Sequence, residues 1–299
     1  MLNENLEFIL YKETAYAGGS GGSTRGMAKI TDSTPNLISL PLPKSGSTIK
    51  MPLNLYQRDQ IGGTGVKGIQ RFRVVKEVEQ KKGELECYIQ HRRLFDWALP
   101  TLGLSESDHS FVIHLQTPSY RIESYGCVIE ELSLNIPEKE LPTHKIVFGC
   151  YGFKYAVGAS TDVDSLTVCS INESQPLLRS NCSLSIGGNS ILFSDLSLTI
   201  KNEIEPIVSS GGIEQIVKSR ELTISFTLPI EDWMYNSALL GTTITKRAVS
   251  LVLGSICTFF ITNCEVVVEE LDESGAMNAD LIKRTVKIYP TDNSVISVV

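Results

Sequence analysis

The sequence predicts a mainly β fold built as two tandem copies of one unit, each copy with a single short α-helix on its flank. Three observations predict it. The first is a set of repeated landmarks: the two tryptophans each follow an aspartate, in Phe95-Asp96-Trp97 and Glu231-Asp232-Trp233, 136 residues apart. Glu84-Leu85 and Glu221-Leu222 are 137 apart, as are Gly126-Cys127 and Asn263-Cys264. Glu130-Glu131-Leu132 and Glu269-Glu270-Leu271 follow at 139, a two-residue insertion keeping the frame. Four landmarks in one order at nearly one offset mark an internal duplication. The second observation is period-two alternation of apolar and polar residues, the pattern of half-buried strands. The third is size and composition: 299 residues, 42% hydrophobic and 20% charged, give two globular units of ordinary make-up. The division expected is an extended arm over 1–45, a first unit over 46–158 and a second over 159–299.

The elements follow in chain order. The arm carries Gly18-Gly19-Ser20-Gly21-Gly22-Ser23 and then Pro35, Pro41 and Pro43, a composition that extends rather than packs. One pair of long strands is expected from Ser47 to Arg92, then a helix from Leu94 to Leu104, with Asp96 near its start and Gly103 near its end. A second strand pair follows from Phe111 to Phe153, where Leu132, Leu134 and Ile136 alternate with Ser133 and Asn135. The second copy repeats this plan with a strand pair from Cys182 to Leu228, a helix from Ile230 to Leu240 closed by Gly241, and a pair from Val249 to Tyr289. Its alternation is clear: Leu222, Ile224, Phe226 and Leu228 share one side, Glu221, Thr223, Ser225 and Thr227 the other. Trp97 and Trp233 are expected to anchor the two helices on their sheets as core residues; exposed ligand-stacking is the alternative role.

Charge and cysteine usage exclude several functions. A net charge of −7 with no basic run does not suit binding nucleic acid through a positive field. The start Met1-Leu2-Asn3-Glu4-Asn5 lacks the basic and then apolar pattern of a secretory signal. The apolar stretch from Ala248 to Ile261 is broken by Ser250, Gly254, Ser255 and Thr258 and is shorter than the roughly 20 residues of a membrane helix, so it reads as two buried strands. Seven cysteines, at 87, 127, 150, 169, 182, 257 and 264, without CxxC spacing, point to free buried thiols in a reducing cytoplasm. There, the Asn172 and Asn181 sequons mean little, since glycosylation needs the secretory route.

No catalytic or cofactor constellation survives the same reading. Gly63-Thr64-Gly65-Val66-Lys67-Gly68 matches the dinucleotide fingerprint in form, but a strand pattern follows it where a helix is needed; a hairpin loop accounts for it. Gly18 to Gly26 lacks the Gly-Lys-Ser/Thr ending of a phosphate loop. Histidines 91, 109, 114 and 144 are scattered, and His109 and His114 fall on opposite strand faces. Each Glu-Glu pair likewise offers one outward acid, and no nucleophile elbow is present. Neither an enzyme, nor a metal site, nor a cofactor is expected.

The arrangement resembles the major tail tube proteins of long-tailed, non-contractile bacteriophages. The residues that carry the resemblance run from Gly126 through Glu130-Glu131-Leu132-Ser133-Leu134-Asn135-Ile136 to Pro137, then Lys145 to Gly149, Cys182 to Ile186, Leu196 to Asn202, and Arg220 to Phe226. It covers most of the chain, least so 1–45 and 291–299. It departs from the family at Lys201-Asn202-Glu203-Ile204, where a short asparagine-rich turn is usual. The resemblance implies β-sandwich or half-barrel units with a flanking helix, assembled into rings whose inner strands form a continuous barrel around a channel for DNA. It implies stacked rings in a virion tail put together in the host cytoplasm. It also implies a duplicated chain that builds a pseudo-sixfold ring from three copies, with a hexamer as the second choice.

The partners expected on that basis are the protein itself, a tape measure protein, a tail terminator and a distal tail protein. DNA passes without specific binding, and no membrane is involved. Candidate lumen-facing side chains are Glu131, Ser133, Asn135, Glu221, Thr223 and Ser225, an acidic and hydroxyl-rich set that repels phosphate. Candidate inter-ring loops are Ile61 to Gly68, with Gly62, Gly63, Gly65 and Gly68, and Glu203 to Val217, with Gly211 and Gly212. Both are expected to order on stacking. Competing readings are a receptor- or carbohydrate-binding β-sandwich of a virion, marked by exposed aromatics, and the inner tube of a contractile tail or type VI apparatus, usually made of single-unit chains.

Overall fold

The computed structural model describes residues 7–12, 37–39, 58–62, 70–74, 81–89, 92–99, 110–116, 120–150, 152–157, 176–209, 212–229, 246–268, 283–291 and 294–299. The first part holds β1 (Glu7–Lys12), β2 (Leu37–Ser39), β3 (Arg58–Gly62), β4 (Gln70–Val74) and β5 (Lys81–Tyr88). The helix α1 (Arg93–Ala98) and then β6 (Phe111–Gln116), β7 (Tyr120–Ile136), β8 (Thr143–Cys150) and β9 (Gly152–Val157) follow. Next come β10 (Cys182–Ile186), β11 (Asn189–Ile191), β12 (Leu196–Ser209) and β13 (Gly212–Pro229). The last are β14 (Arg247–Leu253), β15 (Cys257–Val268), β16 (Lys283–Pro290) and β17 (Ile296–Val298). The fold is mainly β, and among the described residues every strand pairing is antiparallel.

Alternation sets one face of the sheet against the core. Leu85 and Cys87 on β5, Leu132, Leu134 and Ile136 on β7, Ile146 and Phe148 on β8, and Leu198 and Ile200 on β12 are buried. So are Ile224 and Phe226 on β13 and Val286 and Ile288 on β16, all in the same apolar cluster. Each fully buried Leu, Ile or Phe contributes about 1.5–3 kcal/mol. The two parts share this core: β12 pairs with β7 on one side and β13 on the other, and Phe95 of α1 meets Phe259 of β15 edge-on at 5.1 Å. Trp97 is 3% exposed and stacks flat on Phe111 at 5.0 Å.

One pairing scheme occurs twice. In the first part, β5 pairs with β8, β8 with β7, and β7 carries β6 and β9 on opposite edges. In the second, β13 pairs with β16, β16 with β15, and β15 carries β14 and β17. The bulges match as well. Phe111 faces Cys127 and Ile113 faces Ser124, so β7 has one residue more than β6 between these pairs. Arg247 faces Cys264 and Val249 faces Ile261, giving β15 the same excess over β14. The left-handed residue in each bulge is Gly126 (φ 61°) or Asn263 (φ 54°), and the strand turns there from one set of partners to another, as bulges permit.

Four expectations are corrected. The spans from Ser47 to Arg92, Phe111 to Phe153 and Val249 to Tyr289 each hold at least three strands where a single pair is expected, because each long stretch turns back on itself more than once. The helix does not reach Leu104: it ends at Ala98, where Leu99 leaves helical geometry at φ −118° and ψ 54°. The span from Cys182 to Leu228 holds two hairpins instead of one strand pair, because Gly187 and Gly188, both at positive φ, make a tight turn of the kind that reverses β-strands and split off β10–β11. Glu203 to Val217 is no long loop, since the β12–β13 ladder runs to Ser209 opposite Gly212 with a register shift between Glu203 and Ile204. The expected helix over 230–240, with Trp233, lies outside the described residues.

Candidate functional site

The six side chains singled out for a lumen fall together on the face of the sheet that points away from the core. Cross-strand partners in an antiparallel ladder share a face, and β12 lies between the two strands concerned. Glu131 and Glu221 both pair with Lys201, Ser133 and Thr223 both with Thr199, and Asn135 and Ser225 both with Ser197. The result is three polar rows crossing β7, β12 and β13. Asn135 and Glu221 are exposed and the other four half-buried, and Ser133 Oγ donates to Glu131 Oε1 at 3.0 Å along the strand.

The rows extend onto neighbouring strands. Val147, Lys145 and Thr143 of β8 face Glu131, Ser133 and Asn135, Glu84, Glu86 and Tyr88 of β5 stand beyond them, and Lys287 of β16 faces Ser225. At about 4.8 Å per strand, this is one continuous wall, polar except at Val147, and at its β13 end Glu221 and Thr223 also line a cavity of about 590 Å³ with Tyr289, Thr291 and Ser294. The wall's charge is more balanced than an acidic lumen would have it: glutamates 84, 86, 131 and 221 interleave with lysines 145, 201 and 287. Lys145 Nζ lies 3.3 Å from Glu84. A lysine held beside carboxylates neutralises a phosphate weakly and so displaces few of a polyanion's condensed counterions, and the wall presents no continuous positive strip.

The remaining named residues are more dispersed. Gly62 ends β3, and Gly212 opens β13; Gly63, Gly65, Gly68 and Gly211 lie outside the described residues. Six cysteines are free, five of them buried, while Cys169 is outside the described residues. Burial pushes the thiols of Cys182 and Cys264 up to about 11 and that of Cys257 up to about 12, and raises Cys87 further, so they stay protonated and poorly nucleophilic. Cys87 Sγ sits 3.2 Å from His144 Nε2, and burial lowers the His144 pKa to about 4. Among the described residues no helix is long and apolar enough to cross a membrane, and no group of three His, Cys, Asp or Glu stands together to hold a metal.

Two features escaped sequence reasoning. Asn202, 7% exposed, donates through Nδ2 to the carbonyls of Ala98 and Ile129, both at 3.0 Å, and its Oδ1 accepts from Arg220 Nε at 2.9 Å. It thereby ties the end of α1 and the bent strand β7 to the β12–β13 hairpin. A polar residue continuing the apolar series Leu196, Leu198, Ile200 was the available signal. The other is the left-handed pair Gly126 and Asn263: the repeat exposed the match, and glycine and asparagine are the residues that most readily adopt positive φ.

A family model described as phage tail tube protein matches residues 5–284. No curated protein matches the sequence. Among solved structures, the chain is similar to one from an extracellular contractile injection system, a PVC sheath/tube terminator in the extended state. The identity there is 14%, over 42% of this chain and 98% of that one, at a TM-score of 0.31. It is likewise similar to a chain of the PVC sheath-tube complex in the extended state, with 14% identity over 45% of this chain and 100% of that one and a TM-score of 0.32.

Proposed function

The chain belongs to the phage tail tube protein family, and on that premise we propose that it polymerises as stacked rings into the tube of a long, non-contractile tail, through which DNA is delivered to the host cell. The observation that carries this reading is the continuous polar wall across β5, β8, β7, β12, β13 and β16, with all six candidate side chains on it. A wall of hydroxyls and neutralised charges, backed by an apolar core, suits a conduit along which a polyanion slides without being held.

The twofold pairing scheme and the matched bulges support the division into two tandem units, and hence three chains per ring. Such a unit forms heterologous contacts, which close into rings or extend into filaments. Assembly takes place in the host cytoplasm, in keeping with the free cysteines. The tube meets a tape measure protein inside and terminator and distal tail proteins at its ends. The β12–β13 tip and the segment from Ile61 to Gly68 lie at the contact between stacked rings. Negative-stain microscopy of the concentrated protein, with mass measurement of the smallest assembly, tests the reading. Tubes with three chains per layer are expected; a monomer at every concentration would sink it, and six chains per layer would remove the pseudo-sixfold element.

A further inference from the structure

Two rows of side chains on the non-core face of β14 and β15 carry no charge. The first joins Ser190, Ser185, Ser250, Phe260 and Ser297 across β11, β10, β14, β15 and β17. The second joins Ser183, Val252 and Thr258 and is continued by Val299, whose backbone exchanges two hydrogen bonds with Thr258, at 2.8 and 3.0 Å. None of these nine side chains is buried, while the alternate residues Leu184, Leu251, Phe259 and Ile261 belong to the core. Phe260 is 42% exposed and Val299 75%.

The fold does not demand that composition. In the first part β2, β1, β6, β7 and β9 form the same ladder, and the matching register positions hold Ser39, Ile9, His114, Glu123 and Lys154 in one row. The other row there holds Glu7, Gln116, Arg121 and Ala156. Glu123, Lys154, Glu7 and Arg121 thus stand where the second part has Phe260, Ser297, Ser183 and Thr258. One scaffold accommodates charge in one copy and lacks it in the other.

A face with neither sign of charge disfavours a charged partner surface, which would lose water and gain no counter-charge. Among the described residues of a second copy, the polar wall and the first-part ladder both hold charges, and the surface that matches this face is the same face. At about 4.8 Å between strands and about 6.8 Å between rows, it covers on the order of 400 Å², so two of them together bury about half the area of a standard interface.

We propose that this face binds the same face of a second copy about a two-fold axis, with Phe260 near the axis, as a weak and reversible dimer. Such an isologous contact closes at two chains; it is separate from head-to-tail ring contacts and does not depend on the ring reading. The net charge of −7 sets the copies against each other, so salt strengthens the pairing by screening that repulsion.

Sedimentation equilibrium of the full chain below the concentration at which tubes form, across a salt series and with folding followed by circular dichroism, tests it. Wild type is expected to show a monomer–dimer equilibrium that tightens as salt rises. Phe260→Lys, which places an unpaired charge in the contact, is expected to weaken pairing about tenfold or more, and Asn135→Lys on the polar wall leaves it unchanged. A wild-type monomer throughout, pairing loosened by salt, or full pairing of Phe260→Lys each overturns the proposal. Under copper-phenanthroline oxidation, Phe260→Cys is expected to form a disulfide-linked dimer faster than wild type or Asn135→Cys, and equal rates overturn it independently of the lysine variant. Negative-stain microscopy scores tubes separately: tubes without these dimers sink this proposal alone, and dimers without tubes sink the ring reading alone.

Discussion

His144 is neutral in the folded protein because burial disfavours its charged form. Its pKa falls from 6.5 to about 4, so the unfolded chain binds more protons between those values, and folding stability drops as pH falls through that window. The His144 contribution reaches on the order of 3 kcal/mol. Urea denaturation at pH 7, 5.5 and 4.5 checks it: the midpoint of wild type should fall more steeply than that of His144→Gln, and equal slopes would remove the assignment. Asn202 is the second residue with outsized effect. Asn202→Ala strips the donors from the Ala98 and Ile129 carbonyls, with an expected cost of about 2–3 kcal/mol for leaving polar groups unpaired. Asn202→Leu is expected to be no better, because size is not what the site lacks, and denaturant midpoints measure both.

The long strands β7 and β15 each change partners at one left-handed residue. Replacing Gly126 with Ala introduces a Cβ into a conformation that costs roughly 1–2 kcal/mol for L-residues, so its thermal midpoint should drop. Asn263→Gly should be neutral or slightly stabilising and Asn263→Val clearly destabilising, since β-branched residues tolerate positive φ least. A Val variant as stable as wild type would mean that the bend needs no left-handed residue. Much of this level was legible beforehand, because period-two alternation is local and every strand in β7, β12 and β13 displays it. Helix length and turn placement were less so. The stop at Leu99 follows no glycine, and the Gly187-Gly188 turn sits inside a segment whose alternation resumes on both sides. The β12–β13 ladder runs on into a stretch whose glycines read as a loop, because pairing with the opposite strand outweighs local propensity.

At the scale of the molecule, the proposed conduit rests on a polar wall whose charges offset one another. Glu131 and Glu221 flank Lys201, so the double variant Glu131→Lys/Glu221→Lys turns that row into three lysines. Tubes of the variant are expected to retain duplex DNA at low salt and release it as salt rises, following the log-linear dependence of counterion release. Wild-type tubes should retain little under either condition. Co-sedimentation across a salt series reads this out, and salt-independent retention by both proteins would show that the wall is not what meets DNA.

The sequence by itself determined the β class, the apolar and polar faces of each strand and the repeat of landmarks, because these depend on spacing along the chain and on residue type. Only the tertiary structure decided that β12 lies between β7 and β13, and therefore that Glu131, Ser133, Asn135, Glu221, Thr223 and Ser225 share one wall. It alone brought Phe95 against Phe259 and hung α1 on Asn202. The physical reason is that strand neighbours are chosen by burial and hydrogen bonding between segments dozens of residues apart, and period-two alternation reads the same whichever strand comes to lie alongside.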